Sequence, residues 1–110
     1  MTCLLYKLDK KNNFQCITIK GHANYTKTKK DIVCAAISAI TNGTVNFLQL
    51  HYENDCKIYY QSANISIYPL NNNFECQLCL RLMFYQLENI ANFYPDYLKI
   101  SNTQIFERVT

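Results

Sequence analysis

The stretch Phe74-Glu75-Cys76-Gln77-Leu78-Cys79-Leu80-Arg81-Leu82-Met83-Phe84-Tyr85-Gln86-Leu87-Glu88-Asn89-Ile90-Ala91-Asn92-Phe93-Tyr94 carries the clearest periodicity in the chain. Cys76, Cys79, Leu80, Met83, Leu87, Ile90, Ala91 and Tyr94 recur at the spacing that brings side chains to one face of an α-helix. Asn72 with Glu75 three residues on resembles a capping box, and Pro95 ends the helix. A second apolar row, Phe74, Leu78, Leu82 and Tyr85, is more than one sheet needs to cover and points to a subunit contact.

Working outward, the helix is flanked by segments of strand character. Upstream, Cys56 to Tyr60 and Ile65 to Tyr68 read as two strands joined at Gln61 to Asn64, and Pro69 to Asn73 ends that hairpin. Downstream, Tyr97 to Ile100 is a last short strand, and Asn102 to Thr110 is a tail with no assignment. At the start, Thr2 to Leu8 and Phe14 to Lys20 form a hairpin across the polar turn Lys10-Lys11-Asn12-Asn13. Between the two hairpins, Asp31 to about Leu50 is a first helix. Its buried face begins with Ile32, Val33, Ala36, Ile37 and Ile40 and continues through Val45, Phe47, Leu48 and Leu50. Gly43 weakens it by roughly 1 kcal/mol relative to alanine, or marks a bend. His51 to Asp55 is a polar connection. The order ββαββαβ predicts a single α/β (α+β) domain over residues 1–110. A mixed, mostly antiparallel five-stranded sheet would lie in one layer and the two helices in the other.

Composition narrows the class. Of 110 residues, 49% are hydrophobic and 17% charged, so the chain is globular rather than disordered. The N-terminus lacks the apolar run of a signal peptide and no stretch approaches a membrane span, which makes the cytoplasm the default location. Six cysteines in such a chain read as buried reduced thiols, not as a disulfide framework. The net charge of +3 permits an RNA or ribosome contact without arguing for one.

The residues with chemistry cluster at the start of the first helix. His22 is one of two histidines, and Cys34 follows it by twelve positions. With Asp31 as N-cap, Cys34 is the third helical residue, where unpaired amides and the helix dipole favour a thiolate. His22 stands at the end of the preceding strand, before a loop long enough to fold its imidazole back. A thiol and a base so placed form a nucleophile pair. Asp31 is a cap, or a carboxylate that orients His22. Ser38, one turn beyond Cys34, lines a substrate cleft or bonds back to the Cys34 carbonyl. Gly21 allows close backbone approach beside His22, or forms a plain turn. The polar loop Asn24 to Lys30, with Tyr25, Lys27, Lys29 and Lys30, is a solvated loop, a lid beside the thiol or a contact to rRNA.

Gly21-His22-Ala23 and Asp31-Ile32-Val33-Cys34-Ala35-Ala36-Ile37-Ser38, at this spacing, resemble the signature of the ribosomal-processing cysteine proteases, the Prp or YsxB-like family. The resemblance implies a cysteine endopeptidase that removes an N-terminal extension from bacterial large-subunit ribosomal protein L-twenty-seven. Cleavage would follow an aromatic-rich segment with Phe at the cut. It implies His22 and Cys34 as the catalytic pair, no cofactor, and a homodimer. The family usually carries glycines within the loop, and Asn24 and Lys29 stand where two of them are expected.

Two other classes compete. A non-catalytic ribosome- or RNA-associated module accounts for the positive charge but leaves the block from Asp31 to Ser38 unexplained. Nine tyrosines without strong local basic clustering argue against a stacking platform for RNA and for packing at sheet edges. Cys76 and Cys79, with His51 and Cys56, invite a redox or zinc reading. Both thiols fall on the apolar stripe, however, and the set has no standard zinc spacing.

Overall fold

The computed structural model describes residues 1–21, 28–61 and 64–103, and in the first turn of helix α1 it describes the backbone alone. The elements run β1 (Thr2–Leu8), β2 (Phe14–Lys20), α1 (Thr28–His51), β3 (Cys56–Gln61), β4 (Asn64–Pro69), α2 (Phe74–Phe93) and β5 (Leu98–Asn102). Five strands make one sheet in the order β3-β4-β2-β1-β5. Three ladders are antiparallel, and β5 adds to β1 in parallel. This is the expected two-layer fold, and the period-2 alternation of the strands explains it. Leu4, Ile17, Ile19, Ile67 and Leu98 point to one face, where they join Val33, Ile37, Val45 and Leu48 of α1 and Cys76, Leu80, Met83 and Leu87 of α2 in one core.

The β1–β2 turn is built by Asp9, whose carboxylate accepts from the amides of Lys11 (2.8 Å) and Asn13 (2.9 Å) while Asn12 takes φ +66°. Those amide bonds, the one from Asn13 foremost, hold its carboxyl below the usual carboxylate range. The register shifts between Lys7 and Leu8, and the slack is taken up by Gln77 of α2. Its side-chain amide accepts from the Phe14 N–H at 2.8 Å and donates to the Phe14 carbonyl at 3.0 Å. A buried glutamine thereby pairs with both backbone groups of Phe14, which are part of a buried hydrogen-bonding set that must be satisfied somewhere.

Several expectations need correction. The N-cap of α2 is Asn73, not Asn72; its side chain accepts from the Cys76 amide at 2.9 Å, which leaves no capping box with Glu75. Helix α1 runs uninterrupted through Gly43. Ile32, Phe47 and Leu50, assigned to the core, are 66%, 45% and 77% exposed. At 100° per residue the inward row is Val33, Ile37, Thr41, Val45 and Leu48, and the three lie off it. Ile32–His51 is also long and apolar enough, by length and composition, to cross a membrane, contrary to the sequence reading. Its inward row is instead part of the core beneath the sheet. Of the six cysteines, only Cys56 and Cys76 are buried, and none is in a disulfide.

Candidate active site

The link from β2 to α1 spans only residues 21–27, so the topology holds the end of β2 close in sequence to the start of the thiol-bearing helix. Gly21 closes β2 with φ +85°, a left-handed conformation that side chains rarely adopt. A Cβ here would lie 2.6 Å from the Met1 carbonyl oxygen, so another stretch of backbone stands against this position. Beside it, β1 is tied to the chain before β5 by the bond from the Thr2 N–H to the Tyr97 carbonyl at 3.1 Å.

Cys34 is half-buried on α1, flanked by buried Val33 on one side and exposed Ala35 on the other. Ser38, one turn on, is exposed. Ile32, exposed where core burial was expected, puts an apolar side chain on the solvent side of the same turn. Its signal was legible: Val33, Ile37 and Thr41 repeat at four-residue intervals, and Ile32 falls one step off that row. His22, Asn24, Tyr25 and Lys27 lie outside the described residues, as do the side chains of Lys29, Lys30 and Asp31.

The helix start differs from expectation in a way that changes the chemistry. Helix α1 begins at Thr28, so Lys29 and Lys30 are helical rather than loop residues, Asp31 is no N-cap, and Cys34 is the seventh helical residue, not the third. Lysine is a good helix former, and neither glycine nor proline interrupts the run from Thr28 to Asp31. In a regular α-helix the amide of a seventh residue is already paired four residues back, and the dipole's effect fades beyond the first turn. The amides left without a helical partner are those at the very start of the helix, a full turn before Cys34.

The remaining cysteines show the contrast. Cys76 is buried under the sheet, and burial pushes its thiol up to about 12, with Cys56 and Cys79 nearby adding to the shift. Burial likewise raises Cys56, whose hydrogen bond with Cys76 partly opposes the shift, and it raises Cys79. Cys56 also donates to the Tyr52 carbonyl at 3.6 Å. Three protonated thiols packed in a core are poor nucleophiles and poor metal ligands. Among the described residues no group of three or more His, Cys, Asp or Glu side chains is arranged to hold a metal ion.

Comparison with known proteins bears on the same helix. A family model described as Cysteine protease Prp matches residues 1–99. The chain belongs to the Prp cysteine protease family. The ribosomal processing cysteine protease Prp of Mycoplasma genitalium is 32% identical over 101 residues, covering 88% of this chain and 95% of that protein. Two crystal structures of the essential ribosomal processing protease Prp from S. aureus, one with a covalently linked product peptide and one with a substrate peptide, superpose with TM-scores of 0.82. They share 26% and 25% identity with this chain and cover 93% of it and 99% of their own chains. The Prp family is one of cysteine proteases that process ribosomal proteins, and this chain is a member with the family's fold from β1 to β5.

Proposed function

We propose that the chain is a cytoplasmic cysteine endopeptidase that removes the N-terminal extension of ribosomal protein L-twenty-seven, with Cys34 as nucleophile and His22 as its base. The observation that carries the reading is the match of residues 1–99 to the Prp family, and the resemblance of Gly21-His22-Ala23 and of Asp31 to Ser38 to that family's signature supports the choice of residues. In the reaction the Cys34 sulfur attacks the scissile carbonyl carbon, and the bond to the amine breaks as His22 delivers a proton to the leaving nitrogen. Water, deprotonated by His22, then hydrolyses the thioester and restores the thiol. The relative from S. aureus with its covalently linked product peptide supports a covalent route. No cofactor enters these steps.

Activation of Cys34 falls to His22, because the first helical turn lies between the thiol and the positive end of α1. The Cys34 amide becomes available to a developing oxyanion when that turn unwinds. Asp31, inside that turn, is a positioning residue for His22 in this reading. The exposed row Phe74, Leu78, Leu82 and Tyr85 supports a homodimer. Leu78, Leu82 and Tyr85 of that row, with Phe14, Arg81 and Phe84, line a shallow apolar depression.

The test is cleavage of a peptide spanning the extension junction by the parent, Cys34→Ala and His22→Ala. Cutting after the aromatic segment, abolished in both variants, supports the dyad. Cleavage that survives His22→Ala unchanged assigns the base elsewhere. Lys29→Gly, which weakens the first turn by about 1 kcal/mol, is expected to raise the rate of Cys34 alkylation.

A further inference from the structure

We propose that the open face of the sheet is a docking surface for single-stranded RNA. The strands contain four lysines, Lys7, Lys20, Lys57 and Lys99, and the register sends all four to the face away from the helices. None of the five strands contains an Asp or Glu. Four positive charges on one face, in a chain whose net charge is +3, leave a net of −1 for everything else. The carboxylates of the described residues stand instead in the turns and helices, at Asp9, Glu53, Asp55, Glu75, Glu88 and Asp96. Such a one-sided field recruits a polyanion.

The lysines frame the face rather than crowding it. In the row Lys99–Cys3–Lys20–Asn64–Gln61, Lys99 and Lys20 are two strands apart, roughly 10 Å at the usual strand spacing. Lys57 lies four residues along β3 from the end of that row, and Lys7 four residues along β1 from Cys3. Between them, Tyr59 and Tyr68 on adjacent strands are 54% and 41% exposed, with ring centroids 5.7 Å apart at 77°. Next to the tyrosines a depression opens, walled by Lys20, Gln61 and Asn64, its floor the hydroxyl pair Thr18–Ser66 at 3.1 Å.

The mixture selects the partner. Lysines at a perimeter neutralise phosphates, exposed rings stack on unpaired bases, and hydroxyl and amide groups between them meet base edges and the ribose 2′-OH. An acidic polypeptide would use the lysines but has no flat bases for the tyrosines. A duplex would hide its bases from a flat sheet. The tyrosines, scattered in sequence, are gathered with the lysines only by the fold. None of these residues belongs to the cysteine site, so the surface stands or falls separately from the catalytic reading.

The experiment is fluorescence anisotropy of a labelled single-stranded oligouridine titrated with the full chain over a salt series, polyglutamate serving as competitor. Expected is a dissociation constant on the order of 10 μM at low salt, weakening steeply as salt rises. The Lys20→Gln/Lys57→Gln/Lys99→Gln variant should bind at least tenfold more weakly, with the log–log salt slope flattened by about 2. Tyr59→Ala should lose about five- to hundredfold in affinity without changing the slope. Lys10→Gln/Lys11→Gln, in the β1–β2 turn, should bind like the parent. Thermal unfolding checks that each variant is folded. If the triple variant is not, Lys57→Gln alone on the edge strand should flatten the slope by about 0.7. The proposal is overturned by undiminished binding in the lysine variants, by equal loss in the turn control, by no loss in Tyr59→Ala, or by equally effective competition from polyglutamate.

Discussion

Cys34 on α1 and Cys76 on α2 are the same side chain placed in opposite surroundings. Helix α2 buries Cys76 among Leu80, Met83 and Leu87, and desolvation pushes its thiol up to about 12. Helix α1 leaves Cys34 half-buried on the flank of its inward row, with exposed Ile32, Ala35 and Ser38 around the same turns. Position relative to the helix's inward stripe thus separates a thiol that packs from one that can meet a substrate. A regular apolar repeat marks the first kind. The second sits where the repeat is broken by small and polar residues.

The sharpest way to break this contrast is to exchange the losses. Cys34→Ala should abolish peptide cleavage, a fall on the order of a thousandfold or more, with the melting temperature nearly unchanged. Cys76→Ala should do the reverse, keeping the rate and lowering stability by on the order of 1–2 kcal/mol. Mass-mapped alkylation at neutral pH reads the same contrast, with Cys34 labelled well before Cys56, Cys76 and Cys79. Cleavage lost in a folded Cys76→Ala variant would mean that the buried thiols take part in the chemistry.

A second contrast lies within α2 itself, between its apolar stripe and the one polar residue buried in it. Gln77→Leu keeps the volume but leaves the Phe14 N–H and carbonyl unpaired in a closed site, at a cost of about 1–3 kcal/mol in denaturant unfolding. A neutral result would mean that water replaces the amide and that the register shift in β1–β2 holds without α2.

How far the chain could be read before folding follows from which signals are local. The bounds of β1 and β2 were legible in full, because alternation and a polar turn act within a few residues. The start of α1 was not. Asp31 is a good capping residue, but Lys29 and Lys30 also favour helix, and the extended helix moved Cys34 from the third position to the seventh. The α2 cap was misplaced by one residue in a run of three asparagines, where only geometry distinguishes Asn72 from Asn73. Gln77 looked like an ordinary polar helix residue, since its partner is 63 positions away. The lysine face was hidden for the same reason. Its four charges are spread over strands far apart in sequence, and the informative fact, that all four share one face of the sheet, becomes visible only once the register is known.

The thiols of α2 also predict an alkaline limit. Below pH 9, the ordinary value for a thiol here, the native and unfolded chains both keep Cys76 protonated and stability is unaffected. From there to about 12 the unfolded chain releases a proton that the native core retains, so stability falls as pH rises. Cys56 and Cys79, raised in the same direction, add to the fall. Denaturant unfolding across this range should show the decline, and Cys76→Ala should make it shallower. An unchanged slope in that variant would assign the decline to other groups.

The smallest expected effect concerns α1. Gly43 is an exposed residue inside a continuous helix, and a Cβ there would meet nothing within 4 Å. Gly43→Ala should therefore stabilise the protein by about 0.5–1 kcal/mol, by narrowing the unfolded ensemble without strain in the native state. The value of the variant is what it says about the thiol-bearing helix. If α1 works as a rigid rod that only presents Cys34, peptide cleavage will be unchanged while the melting temperature rises. If cleavage falls as stability rises, α1 flexes at Gly43 during turnover, and the contrast between a rigid packing helix and a catalytic one extends from their side chains to their backbones.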